Sequence, residues 1–220
     1  MVDDSDETHE LCHCAQWSHA PTGEAWKAIG RIFKYLAGRK DLRLIFRKQQ
    51  KPIYNVSCDA DWAGGKNTHS NGCCLHFIGN SLISWRMYKI KSVCTSVFES
   101  EIICASETTK DVVWIVGLLK FMFADALCLP VVLSNDNKSC IDIISGGKLS
   151  RRTRHLRVRT SYIIEKADEQ LIVMKDVKSC ALKADLGTKP FGPTAFSEKM
   201  MLLKKSFYLE KPHVLFEGGC

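Results

Sequence analysis

The most informative stretch of the chain is YNVSCDADWAG, residues 54 to 64. Apolar or small side chains occupy its even positions up to 60, and polar side chains occupy its odd positions up to 61. A period of two is typical of a β-strand, in which successive side chains point to opposite faces. The sequence therefore predicts a strand that carries Asp59 and Asp61 on one face.

Strand and helix patterns alternate after this first strand. Two further strands flank Gly79 and Asn80, a pair suited to a tight hairpin turn, so the first three strands are expected to form an antiparallel meander. The later elements are expected in the order helix, strand, helix, helix, strand and short helix, at residues 98–121, 131–133, 138–144, 156–166, 171–174 and 181–186. This order predicts an α/β fold, with a mixed sheet of about five strands flanked by helices.

The first fifty residues differ in pattern from the rest of the chain. Residues 1–23 are polar and show neither period, whereas apolar residues then recur at helical spacing up to Gly38, which predicts an amphipathic helix. A short strand is expected at residues 42–46. We therefore expect residues 1–50 to form a lead-in, residues 51–190 the main domain and residues 191–220 a C-terminal tail.

Composition and charge limit the function classes. Hydrophobic residues make up 45% and charged residues 25% of the 220, which is usual for a folded globular protein. No apolar run approaches the roughly 18 residues that a membrane span requires, so no membrane partner is expected. The net charge is +7, and five arginines fall within residues 151–159. This run fits a polyanionic partner or, equally well, a solvated helix face.

The eleven cysteines do not indicate a disulfide framework, because their number is odd and their spacing irregular. A reducing, intracellular compartment is therefore expected. Zinc binding is a weaker alternative, since no second ligand pair at zinc spacing accompanies the cluster near the start. That cluster consists of His9, Cys12, His13, Cys14 and His19.

Four acidic residues lie where the chain enters or leaves a predicted element: Asp59, Glu101, Asp136 and Asp185. If their carboxylates meet in one pocket, they repel one another and need cations to stay ionised. Oxygen ligands of this kind suit Mg²⁺ or Mn²⁺. For any one of them alone, a helix cap or a turn is the simpler interpretation.

Six segments around these acids resemble, in the same order, the ribonuclease H domain of copia-type retrotransposon Pol polyproteins. The likeness covers roughly residues 21–191. The segments are 58–64 (CDADWAG), 82–91 (beginning LISW), 99–114 (beginning ESE), 136–141 (DNKSCI), 152–156 (RTRHL) and 184–190 (ADLGTKP). Residues 21–38 resemble the end of the reverse-transcriptase region that precedes this domain in the family.

The resemblance implies a ribonuclease H-like fold and hydrolysis of the RNA strand of an RNA–DNA hybrid. It implies that the four acids bind two magnesium or manganese ions. Residues two apart point differently on a helix, so only one of Glu99 and Glu101 should face the ions, and by the motif it is Glu101. No small-molecule cofactor is expected. The residues expected to contact nucleic acid are Lys91, Asn137, Ser139, Arg154 and His155. The reverse-transcriptase region of the same polyprotein would be a partner. The expected location is the cytoplasm, in virus-like particles, or the nucleus.

The chain also departs from the family pattern. Arg157 stands where the family usually has an aspartate, and Phe98, Asn71, Cys73 and Cys180 replace other common residues. An inactive remnant that keeps the fold, with at most weak nucleic-acid binding, is therefore the main alternative to an active nuclease. A zinc-binding adaptor is the alternative from another class.

Overall fold

The computed structural model describes residues 18–20, 22–48, 51–63, 68–123, 127–146 and 151–209. Its centre is a five-stranded mixed sheet. The strands are β2 (Ile53–Asp61), β3 (Asn71–Ile78), β4 (Ser81–Lys89), β5 (Cys128–Asn135) and β6 (Ile172–Asp176). They lie in the order β4-β3-β2-β5-β6, with antiparallel pairs up to β2 and parallel pairs beyond it.

This topology confirms the predicted ribonuclease H-like mixed sheet and its opening meander. The hairpin between β3 and β4 turns at Gly79, whose φ of 60° lies in the left-handed region that glycine adopts without strain. The long connection from β4 to β5 allows β5 to pair in parallel on the other side of β2. The strand predicted first is therefore central and has a neighbour on each edge.

Three helices cover one face of the sheet. They are α2 (Val97–Phe123), α3 (Lys138–Gly146) and α4 (Arg157–Asp168), the last preceded by a 3₁₀ segment at Arg151–Leu156. The core between them and the sheet is apolar and includes Tyr54, Val56, Ile102, Leu133 and Ile163, all 1% exposed or less. Burial of this surface is the main term that stabilises the domain.

The opposite face of the sheet is covered by the end of the chain. Two 3₁₀ segments, Ser179–Ala181 and Lys183–Gly187, are followed by helix α5 (Pro193–Leu202). Phe196 of α5 and Leu186 pack in one cluster with Leu75 and Phe77 of β3. The polar face of β2 therefore lies against protein, and Ser57 Oγ on that face accepts a 3.0 Å hydrogen bond from the backbone amide of Ala184.

The beginning and end of the described chain pair with each other. Helix α1 (Gly23–Gly38) is capped by the Thr22 hydroxyl and leads to β1 (Leu42–Leu44), which pairs antiparallel with β7 (Phe207–Leu209). The apolar side chains predicted on α1 are largely exposed, 75% for Trp26 and 66% for Phe33, and the helix buries Ala25 and Ala28. Whether 1–50, 51–190 and 191–220 are separate units stays a prediction.

Two further properties concern the cysteines and the length of the apolar helices. Every cysteine among the described residues is a free thiol. Across the same ranges, no helix combines the length and the apolar character needed to traverse a bilayer.

A candidate metal centre at the end of the sheet

Asp59 lies near the end of the central strand β2 and is 1% exposed. Its Oδ2 accepts a hydrogen bond from the Thr188 hydroxyl and lies 3.7 Å from Lys189 Nζ. Burial raises the pKa of Asp59 to about 6, and although Lys189 and Thr188 act to lower it, Asp185 and Asp136 act in the same direction as burial. A buried carboxyl with a raised pKa is a group that a cation would ionise.

The two glutamates that open α2 have different roles. Glu99 caps the helix, because its Oε2 accepts hydrogen bonds of 2.7 Å from both the amide and the hydroxyl of Thr95. Burial acts to raise the pKa of Glu99, but these hydrogen bonds outweigh it and hold the pKa below its usual value. Glu101, the glutamate that the family motif assigns to the site, is 3% exposed and lies beside Asp59.

Asn135 and Asp136, at the end of β5, lie beside Asp59 and Glu101. Asn135 Nδ2 donates to Glu101 Oε2 at 2.9 Å and to the backbone carbonyl of Cys58 at 3.0 Å, so it links β5, α2 and β2. Burial, then the nearby Asp59, raises the pKa of Glu101 to about 8. Asp59, Glu101 and Asp136 each place a carboxylate oxygen within 4.8 Å of the other two.

Asp185 lies beside this group of three but is held by other partners. Its Oδ1 accepts a 2.6 Å hydrogen bond from Lys189 Nζ, and its Oδ2 accepts one of 2.6 Å from Lys199 Nζ and one of 3.3 Å from the Ser179 hydroxyl. Lys189 Nζ also lies 3.9 Å from Asp136 Oδ2. Burial acts to lower the pKa of Lys189, but Asp59 and Asp185 outweigh it and hold the pKa above its usual value.

The predicted nucleic-acid contacts are spread around this centre. Lys91 is exposed and lines a cleft of about 530 Å³ with Arg86, Lys89 and Arg159, at the end of the sheet that also holds Asp59. Arg154 and Ser139 are exposed, and His155 is half exposed with Nε2 3.7 Å from Glu99 Oε1. Asn137 caps α3, because its Oδ1 accepts from the backbone amide of Cys140 at 3.0 Å.

Arg157, the departure from the family pattern, is exposed at the first residue of α4 and does not enter the group of buried acids.

Several residues of the centre were not predicted from the sequence, among them Asn135, Thr188, Lys189 and Lys199. Asn135 and Thr188 lie beside predicted acids, so their positions could have suggested them. Lys199 had no signal, because its contact with Asp185 depends on how α5 packs. The structure thus supplies a cationic partner for the acid that stands apart from the other three.

A second group of metal-type ligands consists of Cys74, His76 and Asp111. Arg86 Nη2 already lies 2.6 Å from Asp111 Oδ2, which makes this group part of a salt bridge. Burial, then Arg86, lowers the pKa of His76 to about 4, so its ring is neutral near pH 7. Of the zinc candidates near the start, only His19 lies in the described residues, and it is exposed.

Comparisons with known proteins agree with the resemblance. No protein-family model matches the chain. It is 28% identical over 204 residues to a retrovirus-related Pol polyprotein from transposon RE2 of Arabidopsis thaliana, covering 90% of this chain and 14% of the polyprotein. It is 30% identical over 186 residues to the retrovirus-related Pol polyprotein from transposon TNT 1-94 of Nicotiana tabacum, and this match covers 84% of this chain and 14% of the polyprotein. The chain therefore spans about 14% of the length of these curated relatives, and the resemblance to retrotransposon Pol polyproteins is confirmed.

Among solved structures, the chain is similar to the N-terminal RNase H domain of rv2228c from Mycobacterium tuberculosis. The TM-score is 0.46 at 12% identity, and the match covers 68% of this chain and 97% of that one.

Proposed function

We propose that this chain is a metal-dependent nuclease that hydrolyses the RNA strand of RNA–DNA hybrids. The observation that carries the proposal is the meeting of Asp59, Glu101 and Asp136 within 4.8 Å at the end of a ribonuclease H-like sheet. Three acids from separate elements, two of them almost fully buried, form a cation site rather than three unrelated caps. The fold class and the retrotransposon relatives support a nuclease role of this kind.

The residues present fit a divalent cation. Burial raises the pKa of Asp59 and of Glu101, so ionisation of both requires added positive charge. Carboxylate oxygens favour Mg²⁺ or Mn²⁺ over the softer metals that cysteine and histidine bind. Asp59, Glu101 and Asp136 would hold at least one such ion. The second ion that the family resemblance implies stays a prediction.

The proposed reaction is hydrolysis of a phosphodiester. A water oxygen forms a bond to phosphorus, the bond from phosphorus to the ester oxygen breaks, and the water proton ends on the departing oxygen. When bound, the divalent ion would lower the pKa of water and neutralise charge on the phosphate. Asn135 keeps Glu101 oriented through its 2.9 Å hydrogen bond, and Thr188 does the same for Asp59. No protein nucleophile is needed.

The surroundings of the centre suit a nucleic-acid duplex. Lys89 and Lys91 lie at the same end of the sheet as Asp59, where they can contact phosphates without reading sequence. Arg154 and His155 add positive charge or hydrogen-bond donors beside the start of α2. Recognition of 2′-hydroxyls across a wide minor groove would select RNA, and lysine contacts to phosphate would make binding weaken with salt. Within a longer polyprotein, a reverse-transcriptase region would deliver the hybrid.

The test is cleavage of a hybrid whose RNA strand is labelled. We expect cutting with Mg²⁺ or Mn²⁺ and none in EDTA. Asp59→Asn should abolish cutting with an unchanged circular dichroism spectrum, whereas Asp168→Asn, the same change at an exposed position, should retain it. Cutting that continues in EDTA would refute the mechanism. If the chain is folded but does not cut the hybrid at any concentration of Mg²⁺ or Mn²⁺, the result would favour the inactive remnant.

A further inference from the structure

The four acids of the centre form two unequal sets. Asp59, Glu101 and Asp136 offer oxygens that all lie within 4.8 Å of one another. Asp185 is not in that group, although its side chain is only 2% exposed. The second set is thus a single buried carboxylate, and its partners include two amines.

Lys189 Nζ lies between the two sets. It is 2.6 Å from Asp185 Oδ1, 3.7 Å from Asp59 Oδ2 and 3.9 Å from Asp136 Oδ2. The backbone places Lys189 one helical turn after Asp185, since the amide of Lys189 donates to the carbonyl of Asp185 at 3.0 Å. Its side chain is 36% exposed, so protein covers it only in part.

Lys199 occupies the other oxygen of Asp185. This lysine is 8% exposed, and its Nζ donates to Asp185 Oδ2 at 2.6 Å, to the Leu182 carbonyl at 3.2 Å and to the Ser179 carbonyl. Both oxygens of Asp185 therefore already contact an ammonium. When all groups are ionised, four carboxylates and two ammonium groups leave two negative charges, which one divalent cation neutralises.

A second ion between Asp59 and Asp185 would have to displace the Lys189 ammonium. Magnesium–oxygen distances are about 2.1 Å, so an ion shared by Asp59 and Asp185 would lie in the space that the Lys189 ammonium fills. Two cations that close repel strongly, because little water separates them. The ion and the ammonium thus compete at this position, whereas Lys189 Nζ stays 3.7 Å from Asp59 Oδ2 and 3.9 Å from Asp136 Oδ2 in the group of three acids.

We infer that this chain binds one divalent cation, at Asp59, Glu101 and Asp136, and that Lys189 takes the place of a second ion between Asp59 and Asp185. The inference rests on the proposed function and narrows the two ions that the resemblance implies to one. Lys189 would supply a positive charge next to a phosphate held at that ion, and Lys199 is a positioning residue that holds Asp185 in contact with Lys189.

The experiment counts Mn²⁺ ions bound per chain by electron paramagnetic resonance and by calorimetry. The same measurement is made with Asp59→Asn, and only the sites that this substitution removes are counted. Weak binding of Mn²⁺ at the surface is thereby excluded from the count. We expect one ion for the natural sequence and two for Lys189→Met, in which the competing charge is gone. Lys189→Arg, which keeps a cation, should bind one. Lys175→Met, the same loss of charge at an exposed position of β6, should also bind one.

The outcomes separate this inference from the proposed function. Two ions in the natural sequence, or one ion in Lys189→Met with a native circular dichroism spectrum, would overturn the inference while leaving metal-dependent cleavage intact. Absence of any ion removed by Asp59→Asn would overturn both. If Lys189→Met does not fold, Lys189→Gln provides the same loss of charge with a polar side chain and is judged by the same count.

Discussion

Replacement of Lys199 by methionine tests how α5 supports the metal centre. The change removes the ammonium that contacts Asp185 Oδ2 at 2.6 Å, together with the hydrogen bonds that it donates to the Leu182 and Ser179 carbonyls. Removal of one partner of a buried ion pair costs about 3–5 kcal/mol, because the remaining charge is uncompensated. Lys189 still contacts the other oxygen of Asp185, so we expect the lower end, a loss of about 3 kcal/mol in the free energy of unfolding.

The assay is urea unfolding followed by circular dichroism in EDTA. Lys204→Met, just beyond α5 and exposed, is the control and should change stability by less than about 0.5 kcal/mol. Asp185→Asn in the Lys199→Met background should recover part of the loss, because it removes the unpaired charge. A loss below about 1 kcal/mol for Lys199→Met, or no recovery in the double variant, would refute the reasoning.

Two further predictions concern pH and packing. Burial raises the pKa of Asp59 to about 6 and that of Glu101 to about 8. Without metal, the folded chain therefore binds more protons than the unfolded chain between about pH 4 and pH 8. The free energy of unfolding is expected to fall as the pH rises through this range. Mg²⁺ should therefore raise the melting temperature more at about pH 8 than at about pH 5, and equal rises would contradict the assignment. A methyl group on Gly187 would come within 2.6 Å of two sulfur atoms, so Gly187→Ala should destabilise by about 1–3 kcal/mol. Gly192→Ala is the control, because a methyl group there meets nothing within 4 Å and should not destabilise the chain. Equal urea midpoints for Gly187→Ala and Gly192→Ala would count against the close packing around Gly187.

Local periodicity predicted the sheet well. The alternation from Tyr54 to Asp61 located the central strand, and the Gly79 turn fixed the meander, because both signals depend on neighbouring residues only. Helix geometry required that only one of Glu99 and Glu101 face the site, the family motif selected Glu101, and the structure shows Glu99 in a capping role. Such features are recoverable from one sequence because they do not depend on how distant segments meet.

Contacts between distant segments were not recoverable in the same way. The alternation placed Asp59 and Asp61 on one face of β2, but it could not show that the segment Lys183–Gly187 covers this face and satisfies Ser57. Helix α1 has an apolar stripe that the structure leaves largely exposed, and the residues that it buries are Ala25 and Ala28. Lys199 gave no signal at all, because a lysine in an amphipathic helix is usually on the solvated side.

The group of three acids is tested most directly by an anomalous difference map from crystals grown with Mn²⁺. The account predicts a peak about 2.2 Å from carboxylate oxygens of Asp59, Glu101 and Asp136. A map without a peak there, or with manganese only at the group that contains Cys74 and His76, would contradict it.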